Sequence, residues 1–349
     1  MQLSTFNRDP IRRGLCSAAG LAEVEATMLR LAVGSRLDVA GGIASEVLRT
    51  GGKRLRARLA LAAGEALGVE RSRVVAWAAA CELLHNATLV HDDIQDGDRE
   101  RRGRPTAWAR HGVGQAINAG DLLLMLPMLA VGELDAPPVA RARLYEAVAQ
   151  AAARTARGQS EEMALPDLDE PCWEDWVWAA EGKSGALLGL PVQGAAILAG
   201  LDERTANALG EAFTRTGVLY QLQDDLLDLS LEKGKGRRAA DLHEGKINAL
   251  IVAHLALHPG EARSTLAFLR TPSLRSDPAG VAALVERLHA GGAVAFVQDQ
   301  LGLWADAVRE EPTLRAVPDL SAVAEELVER VLRAARTATT SATLQGNAA

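Results

Sequence analysis

From Leu21 onward, apolar residues recur at spacings of three and four along almost the whole chain, interrupted by short punctuation such as "GVGQ", "DAPP" and "LPDLDEP". That period puts them on one stripe of an α-helix. No stretch sustains the period-two alternation of Val, Ile, Thr or Tyr that a half-buried strand requires. The pattern predicts an all-α fold, a single-domain helical bundle whose helices bury their stripes against one another. Aromatic residues are only 3% of the 349, so the core has to be built from small aliphatic side chains, as close helix packing allows.

The periodic segments run without a compositional break, which predicts one helical domain over residues 21–336. An N-terminal extension, residues 1–20, precedes it, and the small polar tail "TATTSATLQGNAA", residues 337–349, is expected to be disordered. A formal charge of −7, with arginines interspersed among acids, argues against a nucleic-acid partner, because neutralising phosphates needs a basic surface or patch. Cys16, Cys81 and Cys172 show neither pairing nor metal-ligand spacing, which suits a reducing, cytoplasmic setting. The start "MQLSTFNRDPIRRGLC" carries charge where an export signal needs its apolar core. The longest uncharged run, Ser184 to Leu201, contains Pro191, Gln193 and four glycines, so it is expected to be a buried core helix and no transmembrane segment is expected.

Two clusters of the form DDxxD stand out: Asp92, Asp93 and Asp96, then Asp224, Asp225 and Asp228. On a helix the outer two of each lie one turn apart on one face. Like charges so placed repel, and a cation reverses the sign. Clustered carboxylates suit Mg²⁺, which is typically held by one or two of them while phosphate oxygens fill other positions. The bland alternative is a solvated acidic face or a helix N-terminus, where aspartate favours the macrodipole. Because each cluster directly follows an apolar helical run, the metal reading is preferred.

Basic residues accompany both clusters. Arg99, Arg101, Arg102 and Arg104 follow the first, and Lys233, Lys235, Arg237, Arg238 and Lys246 follow the second. Upstream, "GGKRLR" combines two glycines with Lys53, Arg54 and Arg56 at an expected helix start, an arrangement suited to an oxyanion. Arg99 and Arg104 read as ordinary surface charge. His85 lies two turns before Asp92 on the same helical face.

Taken in order, "GGKRLR", "LLHNATLVHDDIQDGDRERRG", "NAGDLLL", "GKSGAL", "YQLQDDLLD" and "GKGRRAADLHEGK" resemble the trans-isoprenyl diphosphate synthases, the polyprenyl synthetase family, over roughly residues 51–250. The resemblance implies a helical bundle with a central cavity, usually a homodimer, and a prenyltransferase reaction assisted by about three Mg²⁺ ions. It implies catalytic roles for Asp92, Asp93, Asp96, Asp224, Asp225 and Lys183, with Asp92, Asp96, Asp224 and Asp228 as metal ligands. An allylic diphosphate would also be held by Arg101, Lys183, Ser184, Gln221, Lys235 and Lys246. Isopentenyl diphosphate would be held without metal by Lys53, Arg56, His85 and Arg102.

In that family, residues one or two turns before the first aspartate motif limit product length. Here they are Cys81, Leu84, Ala87 and Thr88. The small Ala87, with no insertion inside "DDIQD", points to geranylgeranyl diphosphate or a longer chain rather than farnesyl diphosphate; Leu83, Leu84 and Met125 are candidates for a floor. Departures from the family pattern are Ser184 for threonine, Ala57 for proline, Glu162 near an expected aspartate, and "INAL" after Lys246, the last of which bears on the anion contact of Lys246 and on local helix geometry. A non-catalytic modulating subunit and a terpene cyclase are the competing readings.

Overall fold

The computed structural model describes residues 18–36, 38–229 and 238–346. Lys235, expected at the allylic diphosphate, lies outside the described residues, as do Lys233 and Arg237. The described residues are helical apart from a two-residue β-hairpin and short turns. They form two compact units: the described residues of 1–152, 187–211 and 312–323 in the first, and those of 153–186, 212–311 and 324–349 in the second.

The first unit is organised around α4 (Arg71–Gln95), with α1 (Ala18–Val33), α2 (Val39–Arg49) and α3 (Leu55–Ala66) before it, and α5 (Ala107–His111) and α6 (Val113–Gly132) after it. Helix starts are written locally: Asp38 caps α2 by accepting from Gly41 N at 2.7 Å, and Glu70 caps α4 by accepting from Ser72 N at 3.0 Å. The core follows the small-residue expectation. Ala57, Ala60, Ala63, Ala78, Ala79 and Ala80 are fully buried beside Leu59, Leu83 and Leu123. Trp77 is a large exception, and Gly194 of α9 (Ala186–Leu198) makes room for its indole, which donates to Pro191 O at 3.0 Å.

α6 is the described helix that, by length and composition alone, meets the requirement for crossing a bilayer. It packs closely along α4 and α2. Its Gly120 admits His91 of α4, whose Nε2 lies 3.3 Å from Asp121. Its outer face leaves Val113, Ile117, Met125 and Leu129 exposed. Met125 is thus on the outside of this unit, not among its buried residues, unlike the expected floor partners Leu83 and Leu84.

The second unit contains most of α10 (Glu203–Asp228) and is centred on α12 (Ala249–Leu257), buried from Ala249 to Leu255 and apolar there except for His254, as suits a central helix. α8 (Trp173–Ala180) and α16 (Ala293–Arg309) pack on it. α11 (Ala240–Glu244), α13 (Ala262–Arg270), α14 (Pro272–Arg275) and α15 (Pro278–Ala290) complete the surroundings. α7 (Pro138–Ala164), α17 (Pro312–Arg315) and α18 (Pro318–Gly346) are the remaining helices. The backbone of α18 continues helically to Gly346, into the tail whose composition predicts disorder, because extending an existing helix needs no new nucleus.

Candidate active site

Both aspartate clusters occupy the last turn of a long helix. Asp92 and Asp93 are in the final turn of α4 with Asp96 as its C-cap; Asp224, Asp225 and Asp228 end α10. This is the unfavourable end for a carboxylate, since the helix macrodipole is negative there. It excludes the helix N-terminus reading. Carboxylates stacked at a negative helix end call for a compensating cation.

In the first unit Asp93 turns inward and is buried, while Asp92 is partly exposed and Asp96 exposed. Arg101 binds Asp93 through Nε and reaches to 3.6 Å from Asp92. Burial pushes the Asp93 carboxyl up to about 6, with Arg101 opposing that rise. Arg101 is held by a hairpin in which β1 (Glu100–Arg101) pairs with β2 (Arg104–Pro105) across the two-residue turn Arg102–Gly103. Both turn residues have positive φ, 55° and 74°, as a primed hairpin turn demands. An arginine there costs on the order of 1 kcal/mol of backbone strain. Trp108 Nε1 and Thr106 Oγ1 both donate to Asp98 O, at 2.7 and 2.8 Å, and tie down the approach to the hairpin.

Arg102 donates to Gly51 O, and a methyl group at Gly52, whose φ is +134°, would overlap the Arg102 guanidinium. Gly52 of "GGKRLR" therefore serves close approach of this arginine, while Gly51, with φ +75°, supplies the acceptor. Of the basic residues next to it, Lys53 is exposed and Arg56 half-buried. Arg54 is different: it is buried, with Nε 3.0 Å from Glu25 and Nη1 3.7 Å from the equally buried Glu82. Glu82 also accepts from Ala57 N at 3.1 Å. Arg54 is thus a structural ion pair at the start of α3, not a member of the exposed cationic group suggested by "GGKRLR". Its signal in the sequence is the lone carboxylate in "WAAACELLHNATLV", since buried charge needs a partner.

His85 has a buried Nδ1 with no hydrogen-bond partner. Burial pushes its pKa down, and the positive charges of Arg56, Arg102, Arg101 and Arg54 push the same way. The imidazole is held neutral amid guanidinium groups, a setting that an anion relieves. Among the expected length-setting residues Cys81, Leu84 and Ala87 are buried and Thr88 is partly so. Thr88 Oγ1 donates to His85 O at 2.8 Å.

In the second unit the helix of "GKSG" widens into a π-turn, Glu181–Gly185. Such turns are rare and often occur at functional sites. Gly182 lies against Gly158, and Gly185 against Gly217 and Thr214, so the backbones nearly touch where Lys183 and Ser184 are presented. Ser184 Oγ donates to Gln221 Oε1 at 3.3 Å, and Gln221 Nε2 donates to Asp225 Oδ1 at 3.0 Å. Asp225 Oδ2 accepts from Ala249 N at 2.8 Å. Asp225 is buried, which pushes its pKa well up, while Asp224 is exposed.

Asp228 is also buried, with Oδ2 accepting from Asp241 N at 3.0 Å. Lys183 pairs with Glu162, and Lys246 with Glu244 at 3.1 Å. The departure "INAL" leaves the helix start intact, because Asn248 caps α12 by accepting from Ile251 N at 3.2 Å and the first N–H of that helix, on Ala249, is taken by Asp225.

Among the described residues no group of three His, Cys, Asp or Glu forms a ready-made metal cage. Mg²⁺ uses few protein carboxylates and completes its shell with water and phosphate. The donor chemistry fits: hard carboxylate oxygens at negative helix ends, with Arg101 beside the first cluster.

Comparison with known proteins gives a consistent result. The model of the polyprenyl synthetase family matches residues 39–286. A geranylgeranyl diphosphate synthase of Mycobacterium tuberculosis is 32% identical over 289 residues, 80% of each chain. A geranylgeranyl pyrophosphate synthase of Geoglobus acetivorans is 35% identical over 213 residues, 60% of this chain and 66% of that one. A (2E,6E)-farnesyl diphosphate synthase of Mycobacterium bovis is 33% identical over 69% of this chain and 68% of its own. Among solved structures, the geranylgeranyl pyrophosphate synthetase of Pyrococcus horikoshii superposes with a TM-score of 0.77 at 27% identity, covering 92% of this chain and 98% of that one.

Proposed function

The chain belongs to the polyprenyl synthetase family, and from that membership we propose that it is a trans-prenyltransferase that joins isopentenyl diphosphate to an allylic diphosphate, with geranylgeranyl diphosphate as product. The observation that carries this reading is the placement of both aspartate clusters at helix C-termini, where only a cation makes them favourable.

In this reading Asp92 and Asp96 of the first motif, and Asp224 and Asp228 of the second, are the residues that would hold Mg²⁺, which would supply positive charge to an allylic diphosphate. The bound ions would offset the charge that builds on the diphosphate as the allylic carbon–oxygen bond breaks. Arg101, Lys183, Ser184, Gln221, Lys235 and Lys246 bind the same diphosphate. Asp93 and Asp225 position Arg101 and Gln221 for that work. Lys53, Arg56, Arg102 and neutral His85 bind isopentenyl diphosphate. Its double bond attacks the allylic cation, forming the new carbon–carbon bond. A proton then leaves the adjacent carbon for the departing diphosphate, so no protein nucleophile is needed.

Two finer points belong to the same proposal. The small Ala87 leaves room for a twenty-carbon chain. The exposed stripe Val113, Ile117, Met125 and Leu129 on α6 is the face on which a second copy of the chain docks to form a homodimer.

The test is chromatography of labelled products made from isopentenyl diphosphate, farnesyl diphosphate and Mg²⁺. A twenty-carbon diphosphate supports the proposal, and a shorter product from Ala87→Phe supports the length assignment. No elongation from any allylic primer refutes the function.

A further inference from the structure

The face of α4 that carries Asn86, Val90 and Asp93 lies about a quarter turn from the face that carries His85 and Asp92. It opens onto a separate cavity of about 410 Å³ within the first unit, walled by α2, the hairpin and α5. None of Lys53, Arg56, His85, Asp92 or Asp96 lines it. The volume is in the range of small-molecule sites.

Its chemistry is two-sided. Ile43, Val47, Leu89, Val90 and Ala107 give it apolar walls, and the side chain of Asn86, nearly fully buried, adds a polar group. Five arginines reach it against two carboxylates. Three already have partners: Arg101 is on Asp93, Arg102 is on Gly51 O, and Arg110 lies 3.3 Å from Glu46, which also takes His111 at 3.0 Å. The guanidinium groups of Arg49, the last residue of α2, and Arg104, the first of β2, have no hydrogen-bond or ion-pair partner among the described residues. Two uncommitted forks from different elements thus meet one partly apolar cavity. A planar guanidinium fork matches phosphate oxygens better than any other side chain does.

We propose that this cavity is a second ligand site that takes an organic phosphate with a short hydrocarbon body, the head on Arg49 and Arg104 and the body against Val47, Leu89 and Val90. Arg101 and Arg102, each assigned above to a substrate, also line this cavity, whereas Lys53, Arg56 and His85 do not. Binding at this site does not depend on the prenyltransferase reading.

The probe is n-hexyl phosphate, titrated calorimetrically into the full chain with saturating Mg²⁺ and inorganic diphosphate present, so that diphosphate-binding positions elsewhere are filled. Hexanol and inorganic phosphate are the comparison ligands. Hexyl phosphate is expected to bind saturably and about tenfold or more tighter than either. Arg49→Gln with Arg104→Gln should weaken it about tenfold, and Val47→Trp, which fills the cavity while leaving both arginines, should abolish it. Either variant suffices if it retains the wild-type circular dichroism. No saturable binding, equal binding to the folded variants, or no gain over inorganic phosphate overturns the proposal.

Discussion

The two aspartate motifs are spelled alike but anchored differently. In each, the second aspartate turns into the protein. Asp93 is held by one arginine side chain from a hairpin, whereas Asp225 is held by Gln221 and a backbone N–H of α12. The last aspartates diverge more: Asp96 is exposed at its helix cap, and Asp228 is buried on Asp241 N. The shared letters therefore encode a helix end and one inward carboxylate. How many carboxylates face outward is decided by the segment after the motif, a hairpin in one unit and α11 in the other.

The largest effect that tests this comparison is on turnover. Asp92→Ala and Asp224→Ala should each lower turnover at least about 10²–10³-fold with an unchanged thermal midpoint, as expected for groups acting on charge in the transition state. Near-normal turnover in either would break the metal assignment. The sharper contrast is in the last positions. Asp96→Ala should impair turnover and leave stability alone, while Asp228→Ala should also lower the denaturation midpoint, because it strands a buried N–H.

The middle positions should separate by stability. Asp225→Ala leaves a buried backbone N–H and the Gln221 amide without their acceptor, for an expected loss of about 2–3 kcal/mol in urea unfolding. Asp93→Ala frees a partly exposed arginine that water can solvate, so a loss of about 1 kcal/mol or less is expected. Equal losses would mean that the two anchors are energetically alike. Next in size is Asn248→Ala, which removes the cap of α12 and should cost about 1 kcal/mol by the same measurement.

Periodicity and motif spacing make the helical class and both aspartate clusters legible in the sequence. The outward-looking residues, Asp92, Asp96, Asp224, Lys53 and Arg102, can be named because groups on the outside are conspicuous as charge. Their supports are harder to see. Glu82, Glu162 and Asn248 act through partners 28, 21 and 3 residues away, and no local pattern announces the more distant pairings. Arg54 misleads for the same reason: beside Lys53 and Arg56 it looks like one more free cation, and only tertiary packing puts it on two carboxylates. The hairpin escapes because two-residue strands carry no period, although Arg102–Gly103 is a recognisable positive-φ turn once Gly103 is given weight.

The smallest effect concerns the segments just after the motifs, each of which contains a non-glycine residue in the left-handed region. Arg102 has φ 55° in the hairpin, and Ala239 has φ 55° just before α11, where its N–H donates to Asp228 O at 2.7 Å. Glycine relieves such strain, less its own larger entropy in the unfolded chain. Ala239→Gly should therefore leave turnover unchanged and raise stability by at most about 0.5 kcal/mol, because loss of the buried methyl offsets part of the relief. Arg102→Gly relieves the same strain but gives up the hydrogen bond to Gly51 O, worth about as much, so its stability should stay near wild type. Its KM for isopentenyl diphosphate should rise instead. If both variants proved equally active and equally stabilised, the strain at Arg102 would have no functional cause. The split result would show that the first motif's hairpin tolerates strain to place a cation, and the second motif's helix start merely to turn the chain.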